Sequence, residues 1–333
     1  MAGKRKIIVG ARGSLLSLAQ ADIVLLALKK KSPGVEFIFK KILTAGDRNK
    51  TCGLGYRKPN HGPLAWQRED TGIFVKEIEE ALLAGEIDIA VHSAKDLPSE
   101  IPAGLKLAAV PKRENPADVL IAGQKSSLLK LKRGATVGTS SPRRRAQLLN
   151  KRPDLILKDL RGNLDTRIRK LEAGEFSAIV LALAGIKRLK VKNLFTRILP
   201  QGIMLSCAGQ GALAIEIREK DEFIKGIVSK INHPASYTCV SCERAFIQGL
   251  RAGCRLPVGA LAQIKGKRLF LEIKVLSPDG KQVIYLKKSA PVREAESLGR
   301  ALAKEALKKG AKQILTEKPD RRDILVPPPL GRG

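Results

Sequence analysis

Residues 6–31 have the sequence KIIVGARGSLLSLAQADIVLLALKKK, and the pattern in this stretch recurs along most of the chain. A short β-branched run at 6–10 is followed by a loop, and Ser14 then stands as a capping residue before an amphipathic segment that ends ahead of Pro33. The pattern predicts a strand, a loop and a helix. The apolar run at 87–91 breaks at His92 into the loop HSAKDLP, and such a run is typical of a parallel strand buried on both faces.

The same rhythm continues to about residue 190 and then changes. Further strands are predicted at 36–43, 135–138, 155–160 and 176–183, with helices at 72–84, after Ser141 and Pro142, and after Asn163. Past Ser236 the sequence alternates and predicts a three-stranded meander at 258–264, 268–276 and 282–288, followed by a helix at about 293–309. The expected fold class is α/β, with two α/β portions and a small C-terminal α+β domain.

Length and composition narrow the possible classes of protein. A chain of 333 residues and 36.1 kDa favours two or three domains, and no apolar run is long enough to span a bilayer as a helix. The N-terminal stretch lacks the apolar core of a secretory signal, so a cytoplasmic protein without a membrane partner is expected. Its five cysteines then favour thiols, a metal site or a modified cysteine over disulfides.

The net charge of +30 needs a partner or ligand to explain it. Residues 117–200 are the most basic part, with 19 basic and 6 acidic side chains. Nucleic acid is the first partner that such a balance suggests, although only 12 aromatic residues leave few stacking platforms. A ligand with several carboxylates would require the same cations, arranged in a cleft.

Cations follow each of the main predicted strands, at the places where α/β sheets bind ligands. Arginine suits this position because its planar fork holds a carboxylate through two hydrogen bonds and stays charged. The strand-end residues are Arg12 with Ser14, Lys95 with Asp96, Thr139, Ser141, Arg143 and Arg144, Arg161 with Arg167, and Lys187 with Arg188. These cations predict a cleft for a polyanionic ligand. Asp96 is the one acid among them, either as a salt-bridge partner or as a group that stabilises a cation and moves protons.

Cysteines offer two further candidate sites. Cys254 lies in RAGCRLPVG beside Arg251 and Arg255, a setting that fits either an inert small side chain or an accessible thiolate able to carry a covalent group. Cys239 and Cys242 have zinc-ligand spacing, but no second pair accompanies them. A structural zinc site there is therefore the weaker interpretation, and no metal is expected.

Seven segments in order resemble the hydroxymethylbilane synthase family, also called the porphobilinogen deaminase family. They are GARGSLLSLAQA, GIFVKEIEEALLAGEIDIAVHSAKDLP, VGTSSPRRRAQL, LRGNLDTRIRKL, AIVLALAGIKRL, GQGALAIE and ERAFIQGLRAGCRLPVGA. The resemblance spans nearly the whole chain. It implies a transferase of tetrapyrrole and haem biosynthesis that joins four porphobilinogen molecules, with loss of ammonia, to a dipyrromethane primer and releases hydroxymethylbilane by hydrolysis.

The resemblance also implies roles for individual residues. Cys254 would carry the dipyrromethane cofactor as a thioether, and Asp96 would be the catalytic carboxylate. The cofactor's acetate and propionate groups would be held by Lys95, Asp96, Thr139, Ser141, Arg143 and Arg144. The incoming and growing pyrroles would be held by Arg12, Ser14, Gln20, Arg161, Arg167 and Arg188.

The family's architecture implies two domains like those of periplasmic solute-binding proteins and a third that carries the cysteine. The expected bounds are 1–113 plus about 209–230, then 114–208, then 231–333, in a monomer. Departures from the family's pattern occur at 49–71, which is longer than usual, and at Pro142 and Arg145. The alternative is a two-lobed protein without enzymatic activity that binds anions or nucleic acid.

Overall fold

Three sheets organise the chain in the computed structural model, which describes residues 5–44, 75–122, 126–192, 194–251 and 256–316. Two are five-stranded and mixed, and the third is a three-stranded antiparallel sheet. The expected fold class is confirmed. None of the helices in these ranges is both long and apolar enough to cross a membrane.

The first lobe is built on the sheet with strand order β2-β1-β3-β10-β4. Its strands are β1 (Lys6–Arg12), β2 (Glu36–Ile42), β3 (Ile89–Ser93), β4 (Leu105–Ala109) and β10 (Leu213–Arg218), and its helices are α1 (Leu15–Lys31), α2 (Lys76–Leu83) and α6 (Glu222–Ser229). β1 pairs in parallel with β2 and β3, whereas β10 lies antiparallel between β3 and β4. The chain therefore leaves this sheet after β4 and returns to it about 100 residues later.

The second lobe repeats this arrangement, with strand order β7-β6-β8-β5-β9. Its strands are β5 (Asp118–Ala122), β6 (Thr136–Gly138), β7 (Ile156–Lys158), β8 (Ala178–Ala182) and β9 (Thr196–Ile198), and its helices are α3 (Pro142–Lys151), α4 (Leu164–Glu172) and α5 (Leu183–Arg188). Here β5 is the antiparallel strand beside the parallel core. β5 and β10 thus hold matching places in the two lobes.

The third layer packs helices on one face of the small sheet. It contains α7 (Pro234–Leu250), β11 (Val258–Lys265), β12 (Arg268–Leu276), β13 (Val283–Pro291), α8 (Ala295–Lys308) and α9 (Ala311–Thr316). Phe246 of α7 and Leu302 of α8 are fully buried against alternate apolar side chains of β12. This alternation is the pattern that the sequence shows from 268 to 276.

Several predicted elements differ from the observed ones at their ends. α1 begins and ends where predicted, with the Ser14 hydroxyl accepting a hydrogen bond from the backbone nitrogen of Ser17. β3 does not stop at His92 but continues to Ser93, because its ladder with β10 pairs Ser93 with Leu213. β7 is shorter than predicted. Residues 72–74 of one predicted helix, the 49–71 segment and the tail from 318 lie outside the described residues.

A buried carboxylate joins the lobes to the third layer. Glu243 of α7 accepts two hydrogen bonds from Arg113 (2.7 and 3.2 Å), one from the backbone of Gly209 (2.7 Å) and one from the backbone of Ala262 (2.8 Å). Gly209 has φ +69°, and a Cβ there would lie 2.8 Å from the backbone of Ala94. Glycine is required because the chain crosses close to the strand end that carries Asp96.

Candidate active site

Two adjoining cavities lie where the strand ends of both lobes face each other. The first, of about 320 Å³, extends toward the third layer and is lined there by Arg244, Leu256 and Val258. The second, of about 260 Å³, extends toward α1 and α5. Five residues line both cavities: Lys95, Asp96, Arg144, Arg167 and Gln210.

Asp96 marks the junction between the cavities. It ends the single 3-10 turn, Ala94–Asp96, that follows β3, and its side chain is exposed. The Ala94 backbone donates to the Ala212 carbonyl at 3.0 Å, which ties this turn to the crossover strand. The β3 strand end thereby presents a carboxylate to a junction at which the other charged side chains, Lys95, Arg144 and Arg167, are cations.

Arg143 and Arg144 lie at the first turn of α3 and are both buried. Their common partner is Asp118, the first residue of β5, whose carboxylate accepts from Arg143 at 2.7 and 3.2 Å and from Arg144 Nε at 2.9 Å. Asp118 is itself fully buried, and the two guanidinium charges outweigh the effect of burial, so its pKa falls to about 2. Two cations beside one fixed anion leave this part of the site with a net positive charge.

Arg167 and Arg188 supply half-buried cations from α4 and α5. Arg167 Nε donates to the Gly162 carbonyl at 2.9 Å, and Arg188 donates to the Gly211 carbonyl at 2.6 Å. Burial lowers the pKa of both, and the charge of Arg144 lowers that of Arg167 further, whereas Asp96 acts in the opposite direction. Cations crowded in this way favour binding of an anion, because an anion relieves their mutual repulsion.

Arg12, Ser14 and Gln20 line the second cavity from the first lobe. Arg12 ends β1, and Ser14 caps α1 directly behind it. Gln20 is buried, and its side-chain amide exchanges two hydrogen bonds with the Ser93 hydroxyl at 2.9 and 3.1 Å. One turn of α1 is thus fixed against the end of β3.

Family models match both parts of the chain. The model described as porphobilinogen deaminase, dipyromethane cofactor binding domain, matches residues 7–226, and the porphobilinogen deaminase C-terminal domain matches residues 237–308. The chain belongs to the porphobilinogen deaminase family. The alternative of a two-lobed binder without enzymatic activity is not favoured.

Curated relatives agree over almost the full length. The chain is similar to "Porphobilinogen deaminase" of Thermus thermophilus (48 % identity over 94 % of this chain and 99 % of the relative). It is similar to proteins of the same name from two other organisms. The identity is 42 % over 94 % of this chain and 97 % of the relative for Carboxydothermus hydrogenoformans, and 44 % over 93 % of this chain and 98 % of the relative for Deinococcus radiodurans. Among solved structures, the VFT2 domain of Bordetella pertussis BvgS covers 68 % of this chain and 86 % of its own at 14 % identity, with a TM-score of 0.41. At that distance it indicates nothing about ligands.

These matches confirm the family, the transferase function in tetrapyrrole synthesis and the dipyrromethane cofactor predicted from the sequence. Ten of the thirteen residues predicted for the site line at least one of the two cavities. They are Arg12, Ser14, Gln20, Lys95, Asp96, Ser141, Arg143, Arg144, Arg167 and Arg188.

Thr139 and Arg161 line neither cavity. Thr139 is buried, and its hydroxyl accepts from the Ser141 backbone at 3.3 Å. The Arg161 side chain is 73 % exposed and lies 3.8 Å from a carboxylate oxygen of Asp159. The remaining predicted residue, Cys254, lies outside the described residues.

The first cavity suits the porphobilinogen deaminase cofactor, a dipyrromethane with acetate and propionate side chains. Its walls combine buried cations, Arg143 and Arg144, with the apolar side chains of Leu256 and Val258. Carboxylates require the cations, and pyrrole rings require the apolar surface. The residues present therefore fit the group.

Sequence reasoning missed three residues of the site. Asp118 begins a strand that was not predicted and carries the acid that pairs with both arginines. Gln210 lies in the quoted GQGALAIE segment without an assigned role, although its side chain donates to the Pro116 carbonyl at 2.6 Å and lines both cavities. Cys207 lines the first cavity. An acid just before an apolar run, as in NPADVL, was the one available signal for Asp118.

Cys239 and Cys242 lie one turn apart on α7 and are buried in the third layer. Burial and the nearby Glu243 carboxylate raise the pKa of Cys239 to about 11 and that of Cys242 to about 12. Such thiols stay protonated and pack as small apolar side chains. Within the described ranges, no group of three or more His, Cys, Asp or Glu side chains could hold a metal ion.

Proposed function

We propose that this chain extends a dipyrromethane primer on Cys254 with porphobilinogen, using Asp96 as the catalytic carboxylate between the primer cavity and the substrate cavity. The observation that carries the proposal is the position of Asp96, the single carboxylate lining both cavities within the described residues. The first cavity is assigned to the primer because Leu256, two residues after Cys254 in the sequence, lines it. The second is assigned to porphobilinogen.

When bound, the primer supplies a nucleophilic pyrrole carbon and a retained point of attachment. Lys95, Ser141, Arg143 and Arg144 surround the primer cavity and bind its acetate and propionate groups. Arg143 and Arg144 are already oriented by Asp118, so they lose little side-chain freedom when an anion binds. Thr139 supports this wall through its hydrogen bond to the Ser141 backbone.

Arg12, Ser14, Gln20, Arg167 and Arg188 surround the substrate cavity and bind the carboxylates of porphobilinogen and of the growing chain. Arg161 lies outside both cavities and acts, in this proposal, on the longer chain. Asp96 assists the departure of ammonia from porphobilinogen and stabilises the cationic methylenepyrrole that remains. It then accepts the proton released when the new carbon–carbon bond has formed.

The release step is a hydrolysis that leaves the primer on the protein. Water adds at the carbon joining the tetrapyrrole to the primer, giving hydroxymethylbilane, and the bond to the retained primer breaks. Asp96 is the group in position to transfer the proton that this step requires.

The test replaces the carboxylate with its neutral isostere. Asp96→Asn should leave the mass of the attached primer unchanged while turnover of porphobilinogen falls on the order of 100-fold to 10,000-fold, the usual contribution of a positioned acid–base group. Glu100→Gln is the matched control, because Glu100 is an exposed acid four residues further on that lines neither cavity. Normal turnover in Asp96→Asn would contradict the proposal.

The proposal includes an organisation into three domains, 1–113 plus about 209–230, 114–208 and 231–333. Its support is that β10 and α6 pack with β1 to β4 although the second lobe separates them in sequence. We further propose a cytoplasmic monomer that binds no nucleic acid, because ten of the residues assigned a role line cavities of a size for a small carboxylated ligand. Sedimentation at micromolar concentration tests the monomer.

A further inference from the structure

A second group of buried ionisable side chains lies in the first lobe, away from the two cavities. Glu79 of α2 is 7 % exposed, His92 of β3 is 5 % exposed and Glu216 of β10 is fully buried. His92 Nε2 lies 3.2 Å from Glu216 Oε2. Among the described residues, His92 Nε2, one oxygen of Glu79 and both carboxylate oxygens of Glu216 have no hydrogen-bond partner, so the contact between His92 and Glu216 is electrostatic.

Two buried carboxylates and one imidazole cannot all be deprotonated at acceptable cost. An isolated buried carboxylate is strongly disfavoured, and a second nearby makes the first harder to ionise. Burial, and then the charge of Glu216, raise the pKa of Glu79 to about 7. Glu80, an exposed neighbour on the same helix, adds to this effect.

The other charged groups of the neighbouring elements are engaged elsewhere. On β10, Arg218 donates to the carbonyls of Leu82 and Ile87 and pairs with Asp88 at 2.7 Å. On β4, Lys106 pairs with Glu222 at 3.5 Å. Four further ionisable groups belong to these elements or pack on them. Lys76 pairs with Glu80 at 3.8 Å, and Asp221 pairs with Arg218. Glu77 lies on α2, and Tyr237 of α7 donates to the Leu107 carbonyl. His92 is the basic side chain in contact with one of these two carboxylates, that of Glu216, at 3.2 Å.

The three side chains connect three elements next to Asp96. His92 precedes Asp96 by four residues on the same strand and turn. The contact between His92 and Glu216 joins β3 to β10. In the ladder His92 is paired with Ala214, and Glu216 lies two residues further along β10. Glu79 lies on α2, whose apolar side chains pack with Ala90 of β3, and Ala90 shares its face of the sheet with His92.

We propose that Glu79, His92 and Glu216 form a buried proton-holding triad that positions the β3 strand end, and with it the Asp96 carboxylate. His92 is a positioning residue because it acts on Asp96 only through the strand and the turn. While the protein is folded, Glu79 retains its proton to higher pH than an exposed glutamate does. Loss of that proton adds a buried negative charge close to Glu216 and loosens α2 and β10 from β3.

The first test is the pH dependence of folding in the parent protein. Urea unfolding followed by circular dichroism should show the folding equilibrium constant falling on the order of 100-fold between pH 5 and pH 8, because the folded state holds a proton that the unfolded chain releases. Glu79→Gln, a neutral mimic of the protonated acid, should fold and should remove most of this decrease. Glu80→Gln should leave the decrease in place.

The second test uses activity, and it rests on the proposed function. In the holoenzyme, Glu79→Gln should shift the alkaline limb of the kcat profile to higher pH without changing KM, whereas Glu80→Gln should not shift it. If the holoenzyme turns over no porphobilinogen, the proposed function fails but the unfolding test still decides the triad. A parent protein with pH-independent unfolding, a Glu79→Gln protein that retains the full decrease, or one that does not fold would overturn the triad.

Discussion

The antiparallel strands β5 and β10 occupy matching positions in the two lobes, and each carries a buried acid, but the surroundings of the two acids differ. Asp118 on β5 has a pKa of about 2, whereas burial and the charge of Glu216 on β10 raise the pKa of Glu79 on α2 to about 7. All three carboxylates are less than a tenth exposed. Burial alone therefore does not decide whether an acid in this fold is charged.

The partners decide it. Asp118 accepts hydrogen bonds from two arginines, which cannot lose their protons. Glu216 instead lies beside the imidazole of His92, and its charge raises the pKa of Glu79, a second buried carboxylate. In the second lobe, Asp118 holds permanent cations in the proposed primer cavity. In the first lobe, the proposed triad holds the end of β3, and its member Glu79 has a pKa close to neutral pH.

The largest expected effect comes from removing the charge of Asp118. Asp118→Asn leaves two buried guanidinium groups without their counter-ion and should destabilise the protein by about 3 to 5 kcal/mol. Urea unfolding at pH 7 measures this change in the free energy of unfolding. Asp159→Asn is the control, since Asp159 is an exposed acid of the same lobe at 3.8 Å from Arg145 and Arg161, and its loss should cost less than about 1 kcal/mol. Equal effects of the two changes would remove the contrast between a permanently paired acid and an ordinary surface one.

The next effect is the alkaline loss of stability that Glu79 causes. Its pKa is raised from 4.5 to about 7 on folding, so the folded state binds more protons and stability falls as pH rises between these values. The loss should reach about 3 kcal/mol by pH 8. Free energies of unfolding at pH 5, 6, 7 and 8 measure it, and a rise over this range would show that Glu79 is ionised in the folded protein.

Asp118 should produce the reverse dependence at acid pH. Its pKa is lowered from 3.8 to about 2 on folding, so its stabilisation is present above pH 3.8 and is lost as pH falls through 2. The contribution is about 2 kcal/mol. The difference in the free energy of unfolding between the parent and Asp118→Asn, measured from pH 2 to pH 5, isolates this contribution. A difference that stays constant across this range would contradict the lowered pKa of Asp118.

The smallest effect belongs to Arg161, the predicted site cation that lines neither cavity. Arg161→Ala should change the free energy of unfolding by less than about 0.5 kcal/mol, because its ion pair with Asp159 is exposed. Arg144→Ala provides the contrast, since its guanidinium is buried between Asp118 and the Val180 carbonyl. Thermal unfolding of the two variants side by side distinguishes them, and a large effect of Arg161→Ala would place it in a packed environment.

Most of the parallel strands could be predicted because their signal is local. The run at 87–91 and the capped helix after Ser14 carry their apolar pattern and end signals within a few residues. β4, β5 and β9 were missed, and β10 was placed in the first lobe only through the family resemblance. A strand that returns from about 100 residues away takes its position from long-range pairing with β3 and β4, which no local pattern encodes.

The residues of the candidate site show the same difference between local and long-range information. Arg12, Lys95 and Arg167 could be found because each lies at or shortly after the end of a predicted strand, which the sequence shows directly. The pairing of Asp118 with Arg143, and the proximity of Glu79 to Glu216, depend on elements far apart in sequence. Sequence therefore predicts which residues can bind an anion, and the fold decides which are held in place by a partner.

The most direct test of the central claim is the intact mass of the denatured protein after incubation with porphobilinogen, with the modified peptide located by fragmentation. The account predicts an excess of two condensed pyrrole units on the peptide that contains Cys254. The excess should be absent in Cys254→Ser and present in Cys207→Ser, since Cys207 lines the primer cavity but is not the proposed point of attachment. An unmodified protein, or a modification that remains in Cys254→Ser, would contradict the account.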